Sequence, residues 1–332
     1  MRRYLIKTYC YESGLFYLSK NLGDKLLSEG HVVVYAPKAK YILDGRVYRR
    51  VYPSQKNPDE FKRDIILPFT AKRPVSYLMH NAIIKYKIDT VISFETLMEK
   101  GQWVAKIKAR DKVKMIDVPM VEWVTPSYVK NGSYDVFDEI WCLTDLTKQV
   151  FDMPKAKRVN FDLVDRSIFY PPESKQNDIV TFYHAGSLNP DHSTKNTDLV
   201  VAAFNRFLRV NNPKAKLIFT GSTERIAIDN HTNILHIDRV LNRNEIGKIY
   251  READVVLAPS QKEGLGLSLY EAQACGCKII TTDAAPMNEV EADYLCRVDK
   301  LKRDRGFIPL AFVNEDEIYN QIKQAYEDII NG

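Results

Sequence analysis

The sequence predicts two α/β domains in series, each a doubly wound parallel sheet. Three observations carry this. The chain has 332 residues, about twice an ordinary domain. Short apolar, β-branched runs alternate with stretches of helical apolar spacing. The alternation begins afresh after Pro171-Pro172. A strand joined to the next strand through a helix pairs with it in parallel, and helices then cover both faces of the sheet.

In order, residues 3–10 read as a strand. Residues 15–29 carry Leu15, Leu18, Leu22 and Leu26 at helical spacing, Gly30 ends that helix, and His31–Ala36 is the next strand. Further strands fall at 89–94, 112–118 and 138–143, with helices at 75–86, 98–109 and 144–152. After a linker near 165–177, the second series runs as strand 179–185, helix 195–210, strands 216–220 and 233–237, helix 242–252, strand 254–258, helix 267–275, strand 278–282 and helix 315–330. The domains are therefore set at 1–165 and 166–312, with a closing helix in 313–332 expected to pack back on the first domain.

Composition narrows the class. Hydrophobic residues are 45% and charged residues 27%, which excludes a disordered chain, a collagen-like repeat and a disulfide-stapled miniprotein. No apolar run approaches the roughly 18 residues that span a bilayer, and the start lacks a long apolar core, so a cytoplasmic protein is expected, peripheral at most to a membrane. The five cysteines are odd in number and sit mainly in apolar segments, as reduced core thiols do. Cys275-x-Cys277 has no second ligand pair at metal spacing, and no metal is expected.

Charge is unevenly spread. Residues 1–165 hold 28 Lys and Arg against 20 Asp and Glu, whereas 166–332 hold 20 against 23. The excess concentrates in 38–114, including Arg49-Arg50, Lys62-Arg63, Lys72-Arg73 and the series Lys106, Lys108, Arg110, Lys112, Lys114. An anionic partner, a membrane surface or a nucleic acid, is one reading; solvated helix faces and loops are the other.

The most informative stretch runs from Asp254 to Ala272. A strand ends at Pro259-Ser260, a loop with Gly264 and Gly266 follows, and a helix starts near Leu267. A helix N-terminus with flanking glycines lets an anion approach backbone N–H groups. Glu263 stands before that helix and Glu271 about one turn inside it. A carboxylate accepts two hydrogen bonds from a vicinal diol, so the pair suits a ligand with hydroxyls on both sides of a diphosphate, such as a nucleotide-sugar. The same spacing also fits a capping glutamate and a solvent-facing one.

Ser260 to Ala272 resembles the E-x7-E signature of glycosyltransferase family 4, retaining enzymes of the GT-B fold, in which two Rossmann-like domains face each other across a cleft. Gly186, Lys195-Asn196 and the helix through Ala203-Phe204 resemble that family's phosphate loop and first nucleotide-domain helix. Leu217–Gly221, Ile249–Asp254, Cys275–Thr281, Pro286–Val290 and the linker Val164-Asp165 with Phe169-Tyr170-Pro171 follow in order. The resemblance covers about 164–295, and the first half by fold pattern alone. It implies a donor site of Gly186, Ser187, Lys195, Glu263, Gly264, Leu265, Gly266, Leu267, Ser268 and Glu271. In it Glu263 meets sugar hydroxyls, backbone N–H groups of 264–268 meet the diphosphate, Glu271 holds the ribose diol, and Lys195 neutralises the departing phosphate. Glu263 and Lys195 are the catalytic pair it implies. Fixed charges opposite to those that develop on sugar ring and leaving group lower the barrier. No resident cofactor is implied; the co-substrate is a UDP-, GDP- or ADP-linked sugar. No Asp-x-Asp motif is present, in keeping with metal-independent transfer.

Two positions depart from the family. Ser187 stands where an arginine usually follows the glycine, with Arg166, Lys262 and Arg225 as candidate replacements, and Asn196 stands where glycine is common. The acceptor side is expected in the first domain, with Gly14 in the turn after the first strand and the carboxylates Glu95, Asp117 and Glu122 near strand ends. Trp123 and Tyr128 are candidates for stacking on an acceptor ring. His184 reads as a satisfied core residue. The leading expectation is a glycosyltransferase acting on a hydroxyl of a glycan or lipid-linked glycan. Transfer to hydroxymethylated bases of viral DNA and a catalytically silent nucleotide-sugar binding protein are the alternatives.

Overall fold

A computed structural model describes residues 1–9, 14–38, 42–43, 46–47, 65–66, 75–95, 102–174, 178–187, 194–221, 233–304 and 306–332. The chain divides into two units, Met1–Leu163 and Val164–Gly332. The boundary lies two residues before the expected one.

The first unit comprises β1 (Arg3–Tyr9), α1 (Gly14–Ser28), β2 (Val32–Lys38), β3 (Ile42–Leu43), β4 (Arg46–Val47), β5 (Ile65–Ile66), α2 (Val75–Tyr86), β6 (Thr90–Phe94), α3 (Gln102–Asp111), β7 (Lys114–Val118), α4 (Pro126–Lys130), β8 (Glu139–Cys142), α5 (Asp145–Val150) and β9 (Ala156–Arg158). Leu18, Leu22 and Leu26 are the buried face of α1. Gly30 (φ 81°) ends it in the left-handed region, its N–H donating to Leu27 and that of His31 to Leu26. All but β3 and β4 form one parallel sheet in the order β5-β2-β1-β6-β7-β8-β9, and β3 pairs with β4 antiparallel. Strand β7 starts two residues later than expected, because Lys112 takes a positive φ of 50° and turns the chain. The short β3, β4, β5 and β9 carry too few residues to show a period.

The second unit comprises β10 (Val180–Ala185), α6 (Thr197–Asn211), β11 (Ala215–Thr220), β12 (Ile234–Ile237), α7 (Arg243–Glu252), β13 (Val255–Ala258), α8 (Leu267–Ala274), β14 (Lys278–Thr282), β15 (Tyr294–Cys296), β16 (Lys300–Lys302), β17 (Leu310–Phe312) and α9 (Glu315–Asn331). Its parallel sheet has the order β12-β11-β10-β13-β14-β15. Phe182, Phe204, Phe207, Leu217, Val255 and Ile280 are among its fully buried core. Ile318, Ile322 and Ala325 of α9 join that core, and α9 packs on α6 and β15. The apolar stripe of α9 at i, i+4, i+7 thus faces the core of the second unit.

In each sheet the chain winds outward from its first strand, then returns to the other side of it, so a topological switch point lies between β1 and β6 and between β10 and β13. In open α/β sheets ligands bind beyond the carboxyl ends of the strands at such points.

Candidate active site

The switch point of the second sheet collects the loops after β10 and β13. Gly186 follows β10, and its N–H donates to the Thr220 carbonyl at 2.9 Å. A Cβ there would lie 2.3 Å from the Thr220 oxygen and 2.8 Å from Thr197 Oγ1, so only glycine lets the loop pass. Ser187 beside it is half-buried.

The two loops are tied directly. Asn196 caps α6 in the left-handed region (φ 56°, ψ 35°), which explains why glycine suits that position and why asparagine replaces it at little cost. Its Nδ2 donates to the Pro259 carbonyl at 2.8 Å, and its Oδ1 accepts from Gln261 Nε2 at 2.7 Å. The Gln261 N–H donates to the Thr194 carbonyl at 2.7 Å. These bonds fix Lys195 between them, and its ammonium pairs with the carboxylate of Glu263. The predicted catalytic residues are thus brought together.

Helix α8 opens just beyond. Gly266 is its N-cap at φ 75°, ψ 49°, with no side-chain cap on the first turn. Gly264, Leu265 and Gly266 are buried, and Leu267 and Ser268 half-buried. The helix thus directs first-turn N–H groups and the positive end of its dipole to the place where Glu263 and Lys195 stand.

Glu271, one turn in, is 4% exposed. Burial raises its pKa, opposed by Arg243, by a hydrogen bond from Tyr250 and by Lys195. Arg243, the first residue of α7, forms an ion pair with it. The guanidinium lies 4.3 Å from the centroid of the buried Phe169 ring, which meets Tyr250 edge-on at 5.6 Å. Sequence reasoning missed Arg243: its letter sits in an ordinary helix start, 28 residues from its partner. Of the cations considered as replacements at Ser187, Lys262 is bonded to Asp304 at 2.6 Å, and Arg225 lies outside the described residues.

His184 is buried, and both ring nitrogens are bonded: Nδ1 to the Leu257 carbonyl at 2.7 Å, Nε2 to Thr197 Oγ1 at 2.9 Å. A carbonyl only accepts, so Nδ1 carries the proton and Nε2 accepts from the threonine hydroxyl. Burial pushes this imidazole down to about 4, so it is neutral at pH 7. Cys142, Cys275, Cys277 and Cys296 are buried thiols outside any disulfide, and Cys277 Sγ shares a hydrogen bond between the carbonyls of Tyr250 and Ala253. Cys10 lies outside the described residues. Among the described residues, no group of three or more His, Cys, Asp or Glu is placed to hold a metal ion.

At the switch point of the first sheet, the parallel register aligns Lys7, Ser93 and Asp117 in one row across β1, β6 and β7. All three are buried, and the Lys7 ammonium lies 5.4 Å from the Trp103 ring centroid. Lys7 was not anticipated, because a lysine within a strand reads as solvent-facing. Asp117 lies inside β7, one residue before its end. Glu95 follows β6 at φ 51°, and Glu122 lies in a 3-10 turn at Val121–Trp123. Burial, with the charges of Asp117, Tyr128 and Glu95 nearby, raises the Tyr134 phenol. Gly14 is the exposed first residue of α1, while 10–13 lie outside the described residues. Of the basic series, Lys108 pairs with Asp138, Arg110 with Asp111 at 3.6 Å and Lys114 with Glu139 at 2.8 Å. Arg49-Arg50, Lys62-Arg63 and Lys72-Arg73 lie outside the described residues. Among the described residues, no helix is long and apolar enough to cross a membrane.

Comparison with known proteins bears on the fold and on the second unit. Residues 169–328 match the family described as glycosyl transferases group 1. A curated relative, the D-inositol 3-phosphate glycosyltransferase of Mycobacteroides abscessus, is 29% identical over 111 residues; the match spans 30% of this chain and 24% of the relative's length. Among solved structures, sucrose-phosphate synthase from Thermosynechococcus elongatus superposes with a TM-score of 0.65 at 13% identity, covering 99% of this chain and 90% of that one. Anabaena HepE, solved in complex with UDP, gives 0.66 at 12%, covering 99% and 91%. Residues 169–328 are thus similar to group 1 glycosyl transferases, and the chain has the GT-B fold of two Rossmann-like units.

Proposed function

We propose that this protein transfers a sugar from a nucleoside-diphosphate sugar to a hydroxyl acceptor with retention of anomeric configuration, as its resemblance to family 4 implies. One observation carries the reading most: Glu263 and Glu271 flank the opening of α8, one ion-paired to Lys195 and the other to Arg243. The diphosphate lies against first-turn N–H groups between 264 and 268, and the Glu271 carboxylate accepts from the ribose diol. As the bond from the anomeric carbon to the phosphate oxygen lengthens, positive charge builds on the ring and negative charge on the diphosphate. Glu263 faces the first, and Lys195, already between carboxylate and phosphate, offsets the second. The departing phosphate oxygen takes the acceptor proton on the face it leaves, so no separate strong base is required. HepE, whose structure holds UDP, supports this donor class, and the glycosyltransferase of M. abscessus supports glycosyl transfer.

The acceptor is a hydroxyl of a glycan or lipid-linked glycan, met by the acid-rich end of the first sheet at Glu95, Asp117 and Glu122. The test is a panel of UDP-, GDP- and ADP-sugars, following slow donor hydrolysis and the anomer released by NMR. One donor is expected to be hydrolysed with retention and Glu263→Ala to abolish it. Inversion, or equal turnover in Glu263→Ala, overturns the reading.

A further inference from the structure

We propose that Arg243 is a positioning residue for the nucleoside subsite: it aims the Glu271 carboxylate and holds it ionised, so nucleoside diphosphate affinity depends on this ion pair. The inference rests on the reading of Glu271 as the ribose-binding carboxylate.

The placement of Arg243 runs against what its surroundings favour. It is the first residue of α7, where the helix dipole disfavours a cation. Its side chain is only 12% exposed, and desolvating a guanidinium is costly. The helix start needs nothing from it, since Asn242 and Glu245 already form a complete capping box there. A residue that breaks a local rule at a site is expected to be compensated by a specific partner, and that partner is Glu271. Phe169 supports both groups that touch the carboxylate: one side carries the guanidinium, and the ring meets Tyr250 edge-on.

Glu271 has little else to keep it charged. From α7 it faces Arg243 and Tyr250, from β10 Tyr183, and from the loop before α6 Lys195. Strand β13 beneath α8 contributes no ionisable side chain, and Lys278 of β14 is turned to Asp293 at 3.5 Å. Both tyrosines are held neutral by burial, and Lys195 is already paired with Glu263. With Arg243 removed, burial governs, and the carboxyl keeps its proton to higher pH. A protonated Glu271 offers the diol one fewer acceptor position.

The test is isothermal titration with UDP, GDP and ADP across about pH 5.5 to 9, on wild type, Arg243→Met, Arg243→Lys and Glu271→Gln. The tightest diphosphate carries the series. Dividing each affinity by that of Glu271→Gln at the same pH removes the phosphate's own titration. The normalised wild-type profile is expected to be flat. Arg243→Met is expected to be about tenfold weaker near pH 6 and to recover as pH rises, since one unit of pKa corresponds to about a tenfold change in the ionised fraction. A flat Arg243→Met profile, or a wild-type profile that itself titrates above pH 6, overturns the proposal. Should Arg243→Met not fold by circular dichroism, Arg243→Lys decides. It keeps the charge without the forked geometry, so a flat profile at several-fold weaker affinity is expected, and affinity equal to wild type overturns the proposal. If no diphosphate binds wild type, the nucleoside-site reading falls and this inference with it. Binding with an unchanged Arg243→Met removes this inference alone.

Discussion

Both sheets wind the same way and open a switch point at their carboxyl ends, yet they furnish it differently. In the second unit each candidate carboxylate has a cation beside it, Lys195 for Glu263 and Arg243 for Glu271, and a backbone bond ties the two loops that carry Lys195 and Glu263. In the first, a buried row of Lys7, Ser93 and Asp117 crosses three strands, with Glu95 after β6 and Glu122 after β7. Neighbouring strands stand about 4.8 Å apart, so Lys7 and Asp117 lie roughly 10 Å from each other along the row. The contrast teaches that a site for a fixed anionic group is built mainly from backbone geometry and paired charge.

The largest expected effect separates the two carboxylates of the second unit. Glu263→Ala should lower the rate of sugar transfer by about a thousandfold, the scale of losing an electrostatic contact made to the transition state, while affinity for the nucleoside diphosphate stays within a few-fold. Steady-state kinetics with calorimetry checks this split. Lys195→Met should follow, with about a hundredfold loss in turnover and weaker diphosphate binding, because its charge is in place before the bond breaks. Asp117→Asn sharpens the comparison between the units: acceptor KM is expected to change by about tenfold, the scale of one charged hydrogen bond, with donor hydrolysis unaltered. A matching loss of donor affinity would erase the division of labour.

A further prediction concerns pH. An imidazole ordinarily near 6.5 that is pushed down to about 4 in the fold is protonated sooner in the unfolded chain. Between those values unfolding takes up a proton, so the stability is present above pH 6.5 and lost as pH falls towards 4. The wild-type Tm should therefore drop over that window more than the Tm of His184→Gln, measured side by side in the same buffers. The smallest effect lies at Asn196. Asn196→Gly and Asn196→Ala both lose the bonds to Pro259 and Gln261, but alanine also pays for the left-handed backbone, so it should be less stable by about 1 kcal/mol.

Much of the fold was legible because its strands are buried on both faces and its helices carry one apolar stripe. Residues 255–258 are a continuous apolar run, residues 180–185 are buried despite Thr181 and His184, and Leu18, Leu22 and Leu26 mark one helix face. The candidate donor-side residues were legible because glycines and a helix start mark them locally. Arg243 was not, since a contact across 28 residues of sequence leaves no periodic trace. Lys7 was hidden for the opposite reason: its row exists only in the register of three strands. The closing helix showed its apolar stripe in the sequence but not the surface that receives it.

The most direct measurement is a crystal soaked with whichever nucleoside diphosphate stabilises the protein most. The account predicts density for the two phosphates against the opening turn of α8, with the ribose hydroxyls on Glu271. Density elsewhere, or a ribose that leaves Glu271 untouched, contradicts it.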